Sequence, residues 1–196
     1  MSIYKTIIVV VVSFIFFNGC ASFRDGANPT ITQWPPENAI KNKNIAIQMT
    51  GNLEINGKPA ETNARFLENW RNQVLRAYED SNFFSAIKSG GDTADIYADI
   101  NILDKGENNK GLAFITGFTM GLIPSHVREG FIIKTTYKDK SGAVLGTVEK
   151  SEYTDFWIQL FMFPLMPFNW PSSVGKDILY DLNRNSLIEG HAKGIF

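Results

Sequence analysis

The residue types that most often carry out chemistry in proteins are scarce in this chain of 196 residues. Its two histidines, His126 and His191, lie far apart in the sequence, and neither stands at a recognisable metal-ligand spacing. Gly-x-Ser-x-Gly elbows, phosphate-binding loops and dinucleotide-binding fingerprints are all missing from the sequence. We therefore expect a protein that is not an enzyme, with no catalytic residues, no bound metal and no cofactor.

Three aspartates, Asp92, Asp95 and Asp99, recur at a spacing that resembles part of a calcium-binding loop. The alternating oxygen ligands and the closing glutamate of such a loop are missing. Asp95 and Asp99 fall on the polar face of a predicted strand, within reach of Lys134 and Lys138 on the next strand. Cross-strand charge pairing is the simpler interpretation of these carboxylates.

The start of the chain predicts a secretory signal. Lys5 precedes an apolar stretch of about a dozen residues, 6–17, which is short for a membrane span and is followed by small and polar residues. The only cysteine of the chain, Cys20, comes directly after this stretch, and a single cysteine excludes an internal disulfide. We assign 1–19 as the signal peptide. The alternative is an uncleaved signal anchor with an unmodified thiol.

The four residues Phe17-Asn18-Gly19-Cys20 resemble the lipobox of bacterial lipoproteins, with Phe17 in place of the usual leucine and Asn18 in place of alanine or serine. The resemblance implies cleavage before Cys20 and acylation of its sulfur and new amino group. Several acyl chains anchor a protein stably, since each buried methylene contributes about 0.8 kcal/mol. No aspartate follows the cysteine, which implies sorting to the outer membrane, on its periplasmic side.

The remaining chain divides into a linker and one domain. Residues 20–44 are rich in asparagine, proline and glycine, which predicts a flexible tether behind the lipidated cysteine. Residues 45–196 suffice for a single domain. The formal net charge of -1 argues against a nucleic-acid partner.

The pattern of the domain predicts an α+β fold with elements in the order β-α-β-β-β-β-α. Alternating apolar and polar residues over 94–104 indicate a half-buried strand, and 139–142 is a strong hairpin turn. We expect about five strands in a mostly antiparallel sheet, with the helices on one face. The predicted strands are 45–49, 83–88, 94–104, 131–138 and 143–153, and the predicted helices run over 62–80 and from Ser172 or Ser173 to before Gly190.

The stretch from Val74 to Ile102 is similar in its succession of helix, phenylalanine-containing strand, Ala-Asp and strand to several envelope lipoproteins. The curli-secretion lipoprotein and small auxiliary lipoproteins of lipid or polysaccharide export share it. The resemblance covers about 30 residues and carries no functional residue over. It implies an accessory role in the cell envelope.

Two uncharged apolar segments, 111–125 and 156–171, interrupt this pattern. The antiparallel topology should bring both to one end of the sheet. The first fits a helix, with Ala113, Gly117 and Gly121 in one row, or a strand; we favour the helix. The second contains three prolines, so it is neither one regular helix nor a central strand.

The apolar side chains of these segments are the candidate contact residues. They are Phe114, Phe118, Leu122, Trp157, Phe161, Phe163, Phe168 and Trp170. Tryptophans at both ends of the second segment suit a bilayer interface. Packing as a satellite core remains an alternative, as does a hydrophobic interface with an envelope protein or with identical subunits.

We therefore expect a non-catalytic, lipid-anchored envelope protein, an accessory or assembly factor whose two apolar segments contact the membrane or a membrane partner. One alternative is a carrier module that holds a lipid or acyl ligand in a groove between the sheet and these segments. Another is an oligomer that penetrates the membrane.

Overall fold

The structure is a computed structural model that describes residues 19–37, 39, 41–91, 93–162 and 164–196. Apart from Gly19, the predicted signal peptide lies outside the described residues, and so do Phe17 and Asn18 of the lipobox-like sequence. Phe163, one of the predicted contact residues, also lies outside them, as does Asp92.

The described residues form seven strands, three α-helices and one short 3₁₀ helix. The strands are β1 (Gly19–Arg24), β2 (Lys43–Ile55), β3 (Lys58–Ala60), β4 (Phe84–Ser89), β5 (Ile96–Asn108), β6 (Ser125–Asp139) and β7 (Val144–Gln159). The helices are α1 (Ala64–Asp80), α2 (Lys110–Phe118) and α3 (Pro171–Ala192), and the 3₁₀ helix is Leu160–Met162.

All seven strands belong to one mixed sheet. Its hydrogen-bonded order is β1-β7-β6-β5-β2-β3, with β4 also paired to β2. The pairs β1–β7, β7–β6 and β6–β5 are antiparallel, whereas β2 runs parallel to both β4 and β5. The α+β class is confirmed, and four of the six strand pairings in the described residues are antiparallel, as expected. The sheet differs from the prediction in having seven strands and two parallel pairings. The chain crosses over through β3 and α1 after β2, so β4 enters the sheet in the direction of β2.

The core lies between the sheet and the pair α1 and α3. Ile96, Ala98, Ile100 and Ile102 alternate inward along β5 as predicted, and each is at most 1% exposed. They meet side chains of both helices in one cluster. These include Trp70, Val74 and Tyr78 of α1 and Ile178, Leu179, Leu182 and Leu187 of α3. The two helices also touch each other, since the Tyr180 hydroxyl donates a hydrogen bond of 2.7 Å to Asp80.

The predicted charge pairing on the other face of the sheet holds for one of the two aspartates. The Lys138 ammonium lies 2.5 Å from the Asp99 carboxylate. Asp95 pairs instead with Lys140, at 2.7 Å. Lys134 lies opposite Asn101 and forms no salt bridge with either aspartate in the described part of the chain.

The boundaries of α3 differ from the prediction. Its N-cap is Trp170, and Pro171 occupies the first turn, so neither Ser172 nor Ser173 caps the helix. Proline suits this position because its fixed φ is already helical and it has no N–H group to leave unpaired. The helix also continues past Gly190, to Ala192.

The segment predicted as a tether differs from the structure over its first residues. Residues 20–24 belong to β1, which pairs antiparallel with β7 at one edge of the sheet. Farther along, Trp34 packs edge-on against Phe83, with ring centroids 6.3 Å apart. Composition alone predicts neither the strand β1 nor the packing of Trp34. The partner of β1 lies more than a hundred positions away in the sequence, and the partner of Trp34 lies on another element. Cys20 is therefore attached directly to the folded domain.

Candidate functional site: an apolar pole beside Cys20

Both apolar segments leave the same end of the sheet, as the topology predicted. The first segment follows β5 and precedes β6, and the second begins in the last four residues of β7 and continues beyond that strand. The register aligns these strand ends, since Asn108 pairs with Val127 and Ser125 pairs with Ile158. β1 begins at this end too, because Gly19 pairs with Gln159.

The first segment contains a helix, so the preferred of the two predicted templates is confirmed. Asn109 caps α2, with its side-chain oxygen accepting a hydrogen bond of 3.0 Å from the Leu112 N–H. Phe114, Phe118 and Leu122 project into solvent with 76%, 82% and 62% of their surface exposed.

Residues 156–159 of the second segment form the end of β7, which pairs with β1 and β6, whereas the described residues of the part that contains the prolines are irregular, as predicted. This part continues from the 3₁₀ helix through turns to Asn169, whose carbonyl accepts a hydrogen bond of 2.9 Å from the Ser22 N–H of β1. Phe161 and Phe168 are 67% and 84% exposed, and Trp170 is 44% exposed. The backbone bond to β1 holds this segment at the strand that carries Cys20.

Six predicted contact residues thus share one end of the molecule with their side chains exposed. We call them the apolar pole: Phe114, Phe118, Leu122, Phe161, Phe168 and Trp170. Their exposure excludes the alternative that they pack as a satellite core beneath α3. Contiguous exposed apolar surface of this kind usually marks an interaction site.

Trp157 does not belong to the apolar pole. It lies within β7, half-buried, and its ring stacks on that of His126 with centroids 4.9 Å apart. The His126 Nε2 lies 3.3 Å from a carboxylate oxygen of Asp155. Trp157 and His126 are directly opposed in the register and alternate with Ile158, so they lie on the face of the sheet away from the helices. Trp157 thus lies at the same end of the sheet as Cys20 but is less exposed than the six residues of the pole.

Cys20 lies beside the apolar pole on the helix-covered face of the sheet. It is directly opposite Ile158 of β7, which is in turn directly opposite Ser125 of β6. Directly opposed residues of antiparallel strands point to the same face, so the three side chains form one row across the end of the sheet. Cys20 is half-buried, and burial raises the pKa of its thiol.

A cavity of about 430 Å³ opens between α2 and this row. The row of small residues predicted from the sequence lines it, together with one methionine, two hydroxyl residues and an isoleucine: Ala113, Thr116, Gly117, Met120, Gly121, Ser125 and Ile158. The Thr116 hydroxyl donates to the Leu112 carbonyl at 2.9 Å. Ser125 is only 3% exposed, and its hydroxyl has no hydrogen-bond partner among the residues that the structure describes.

Charged side chains are missing from both segments that carry the pole. Sequence positions 111–127 and 156–175 carry no charged side chain. Across the described ranges, no group of three or more histidine, cysteine, aspartate or glutamate side chains is arranged to hold a metal ion.

None of the helices in the described part of the chain combines the length and apolarity needed to cross a bilayer.

Sequence reasoning found the exposed residues of the pole but missed the elements beneath them. In the sequence, Ser125 is simply the last residue of the first apolar segment, and Ile158 is one of many apolar residues in the second segment. Their pairing depends on the register of β1, β6 and β7, which a period-two pattern does not specify across 130 residues of chain. The small-residue row of α2 was the one signal that pointed to the cavity.

Comparison with known proteins adds little to this description. No known protein family matches the chain, and no curated protein is similar to it in sequence. Among solved structures it is similar to a PelC L103M dodecamer from Paraburkholderia phytofirmans, with 9% identity and a TM-score of 0.38 over 85% of this chain and 95% of that one. It is also similar to a protein from Helicobacter pylori assigned as a neuraminyllactose-binding hemagglutinin homolog, with 8% identity and a TM-score of 0.42 over 85% and 88% of the two chains. Similarity at this level assigns neither family nor function.

Proposed function

We propose that this protein is a non-catalytic envelope lipoprotein, anchored through Cys20 in the outer membrane on the periplasmic side, whose apolar pole inserts shallowly into that membrane. The observation that carries the proposal is the position of Cys20 in the same end of the sheet as six exposed apolar side chains. The proposed role is that of an accessory or assembly factor, exerted by a domain held at the bilayer surface.

The ordered strand β1 supports this orientation. A flexible tether would leave the pole free to face any direction, whereas Cys20 is fixed to β7 by strand pairing. Acyl chains on Cys20 would then draw this end of the domain, and no other, to the membrane. The absence of charge from both apolar segments removes the main cost of placing them in the headgroup region.

Two membrane signals act together in this arrangement. Several acyl chains on Cys20 already anchor the protein stably, and the apolar pole adds a second contribution that orients the domain at the bilayer. Burying one phenylalanine side chain contributes about 1.5–3 kcal/mol, and the pole presents four of them. Trp170, partly exposed at the start of α3, suits the interface, where its ring is buried and its N–H stays hydrated.

The anchoring chemistry requires only ordinary lipid donors. Hydrolysis of the Gly19–Cys20 peptide bond frees the cysteine amino group. An ester lipid then acylates that group: a new amide N–C bond replaces an N–H bond, and the proton leaves with the alcohol of the donor lipid. These steps belong to maturation enzymes of the envelope, which the lipobox-like sequence would recruit.

The contribution of the pole is tested without the lipid. Residues 20–196 carrying Cys20→Ala are mixed with vesicles of neutral phosphatidylcholine, and binding is measured by flotation. We expect binding that is insensitive to added salt, because the pole is uncharged. Phe118→Glu and Phe161→Glu should each weaken the partition about tenfold, since each removes roughly 1.4 kcal/mol or more of apolar burial.

Two control variants separate the pole from general effects of charge. Phe66→Glu makes the same replacement at a phenylalanine of α1 that is 56% exposed, and Val144→Glu places the charge in the hairpin at the opposite end of the sheet. Neither should change binding. Equal loss in pole and control variants, or no vesicle binding at all, contradicts membrane contact by the pole. A stable dimer that Phe118→Glu converts to a monomer assigns the pole to a second copy instead.

A second candidate function, a carrier of a lipid or acyl ligand, is favoured by one observation. The cavity of about 430 Å³ between α2 and the sheet falls in the range of ~300–1,000 Å³ typical of small-molecule sites. Native mass spectrometry of the Cys20→Ala protein after detergent extraction distinguishes the two functions. A co-purifying lipid of defined mass indicates a carrier, and its absence indicates the anchored surface protein.

A further inference from the structure

We infer that the cavity between α2 and the end of the sheet holds one acyl chain of the lipid carried by Cys20 itself. This inference rests on the proposed lipid anchor, because it needs an acylated cysteine. Beyond that anchor, it assigns different positions to the acyl chains: one chain packs against the domain, and the others enter the bilayer. The membrane-facing end of the protein would then be completed by its own modification.

The distance between the cysteine and the cavity is short. Cys20, Ile158 and Ser125 are successive cross-strand neighbours, and strands lie about 4.8 Å apart, so Cys20 and Ser125 are separated by roughly 10 Å across the sheet. Ile158 and Ser125 both line the cavity. An acyl chain that starts at Cys20 therefore reaches the cavity by passing over Ile158 alone.

The lining of the cavity matches an acyl chain with a carbonyl at one end. Most of its surface is apolar and comes from small residues, which leaves room for a narrow flexible chain. Among the described residues, the Ser125 hydroxyl of this lining is buried and has no hydrogen-bond partner. A buried hydroxyl without a partner is costly, and the ester or amide carbonyl of an acyl group accepts the hydrogen bond it lacks.

One residue of α2 offers a way to fill the cavity without disturbing the fold. A Cβ placed on Gly117 meets no atom within 4 Å, so a leucine there projects into the cavity. Gly111 lies one and a half turns earlier on the same helix, outside the cavity lining. The atom nearest to a Cβ added at Gly111 is the Asn109 side-chain oxygen, at 3.4 Å, which is an ordinary van der Waals distance. Gly111→Leu is therefore a matched control for Gly117→Leu.

The test uses the full chain, matured in a bacterial host that is fed a fatty acid bearing a photoactivatable diazirine. After purification in detergent and irradiation, peptide mass spectrometry maps where the acyl chain cross-links. We expect cross-links from Cys20-linked chains to residues 113–121 and to Ile158. Gly117→Leu should lower them about tenfold, the effect of roughly two methylenes no longer buried, whereas Gly111→Leu should leave them unchanged. Ser125→Ala should lower them about fivefold through the lost hydrogen bond.

Each contrary outcome identifies what has failed. Labelled Cys20 whose cross-links fall only on detergent or bilayer lipid overturns the inference and leaves the anchor standing. A lack of any label on Cys20 overturns both. Cross-linking of a labelled free phospholipid to residues 113–121 in Cys20→Ala assigns the cavity to a carried lipid and overturns the tethered occupant. Circular dichroism of each variant shows whether a loss of cross-linking reflects unfolding.

Discussion

Replacement of Arg24 by leucine is expected to lower the free energy of unfolding by about 3–5 kcal/mol, because it leaves a buried carboxylate without its counter-ion. The Arg24 guanidinium binds both oxygens of Glu152, at 2.5 and 2.9 Å, and Glu152 is only 1% exposed. A third bond of 2.7 Å joins Arg24 to Asp181 of α3. Urea denaturation measures the loss as a lower midpoint at an unchanged slope.

The consequence of this substitution extends to the anchor. Arg24 is the last residue of β1, and its side chain ties that edge strand to both β7 and α3. Hydrogen exchange in the Arg24→Leu protein should therefore accelerate first at the β1 amides. Release of β1 would recreate the flexible tether that composition alone suggests, and Cys20 would lose its position beside the apolar pole.

A double variant separates the lost pairing from lost packing. Arg24→Leu combined with Glu152→Leu should recover most of the stability, since replacing a buried ion pair with apolar side chains is often close to neutral. The exposed pair of Lys140 and Asp95 supplies the control, and Lys140→Leu should leave the urea midpoint almost unchanged, because exposed ion pairs contribute little to stability. An Arg24→Leu protein no less stable than the Lys140→Leu protein contradicts the role assigned to this pair.

The features visible in the sequence are those that repeat locally. The period-two alternation of β5 places its isoleucines in the core, and the glycine and alanine spacing of α2 separates its small face from its phenylalanine ridge. The hairpin signal at 139–142 aligns β6 with β7 and thereby brings both apolar segments to one end. Local pattern and turn chemistry were therefore enough to locate the apolar pole.

The features that sequence reasoning missed depend on contacts between distant residues. β1 has no alternation of its own and exists because β7 offers an edge, while the 128-residue separation of Arg24 and Glu152 hides their pairing. Asp104 continues the inward-facing row of β5 after Ile102, so the alternation itself places this polar side chain in the core. The edge strand and the ion pair that the sequence does not reveal arise from tertiary contacts and not from local pattern.

Asp104 predicts an unusual dependence of stability on pH. The side chain is 7% exposed, one of its oxygens has no hydrogen-bond partner, and no cation pairs with it among the described residues. Burial, with the nearby charge of Glu129 as a second cause, raises the pKa of Asp104 from 3.8 to about 7. Burial also raises the pKa of Glu129.

The sign of the effect follows from proton binding. Between pH 4 and 7 the folded protein holds a proton on Asp104 that the unfolded chain has released, so acid favours the folded state. The free energy of unfolding should fall as pH rises to the folded-state pKa and then level off. Over the two pH units between pH 5 and the Asp104 pKa of about 7, the free energy of unfolding should fall by about 3 kcal/mol. Urea titrations at pH 5, 6, 7 and 8 measure this decline.

Asp104→Asn isolates the contribution of this one carboxyl group, because the amide has nearly the same shape and does not ionise. Its stability relative to the unmodified protein should improve by about 3 kcal/mol between pH 5 and pH 8. Asp99→Asn is the matched control on the same strand, since that carboxylate is partly exposed and paired with Lys138; it should change stability by about 1 kcal/mol or less at every pH. Parallel profiles for the unmodified protein and Asp104→Asn across this range would mean that Asp104 is ionised throughout, and that water or a rearrangement of β5 and β6 gives the carboxylate the partners it lacks here.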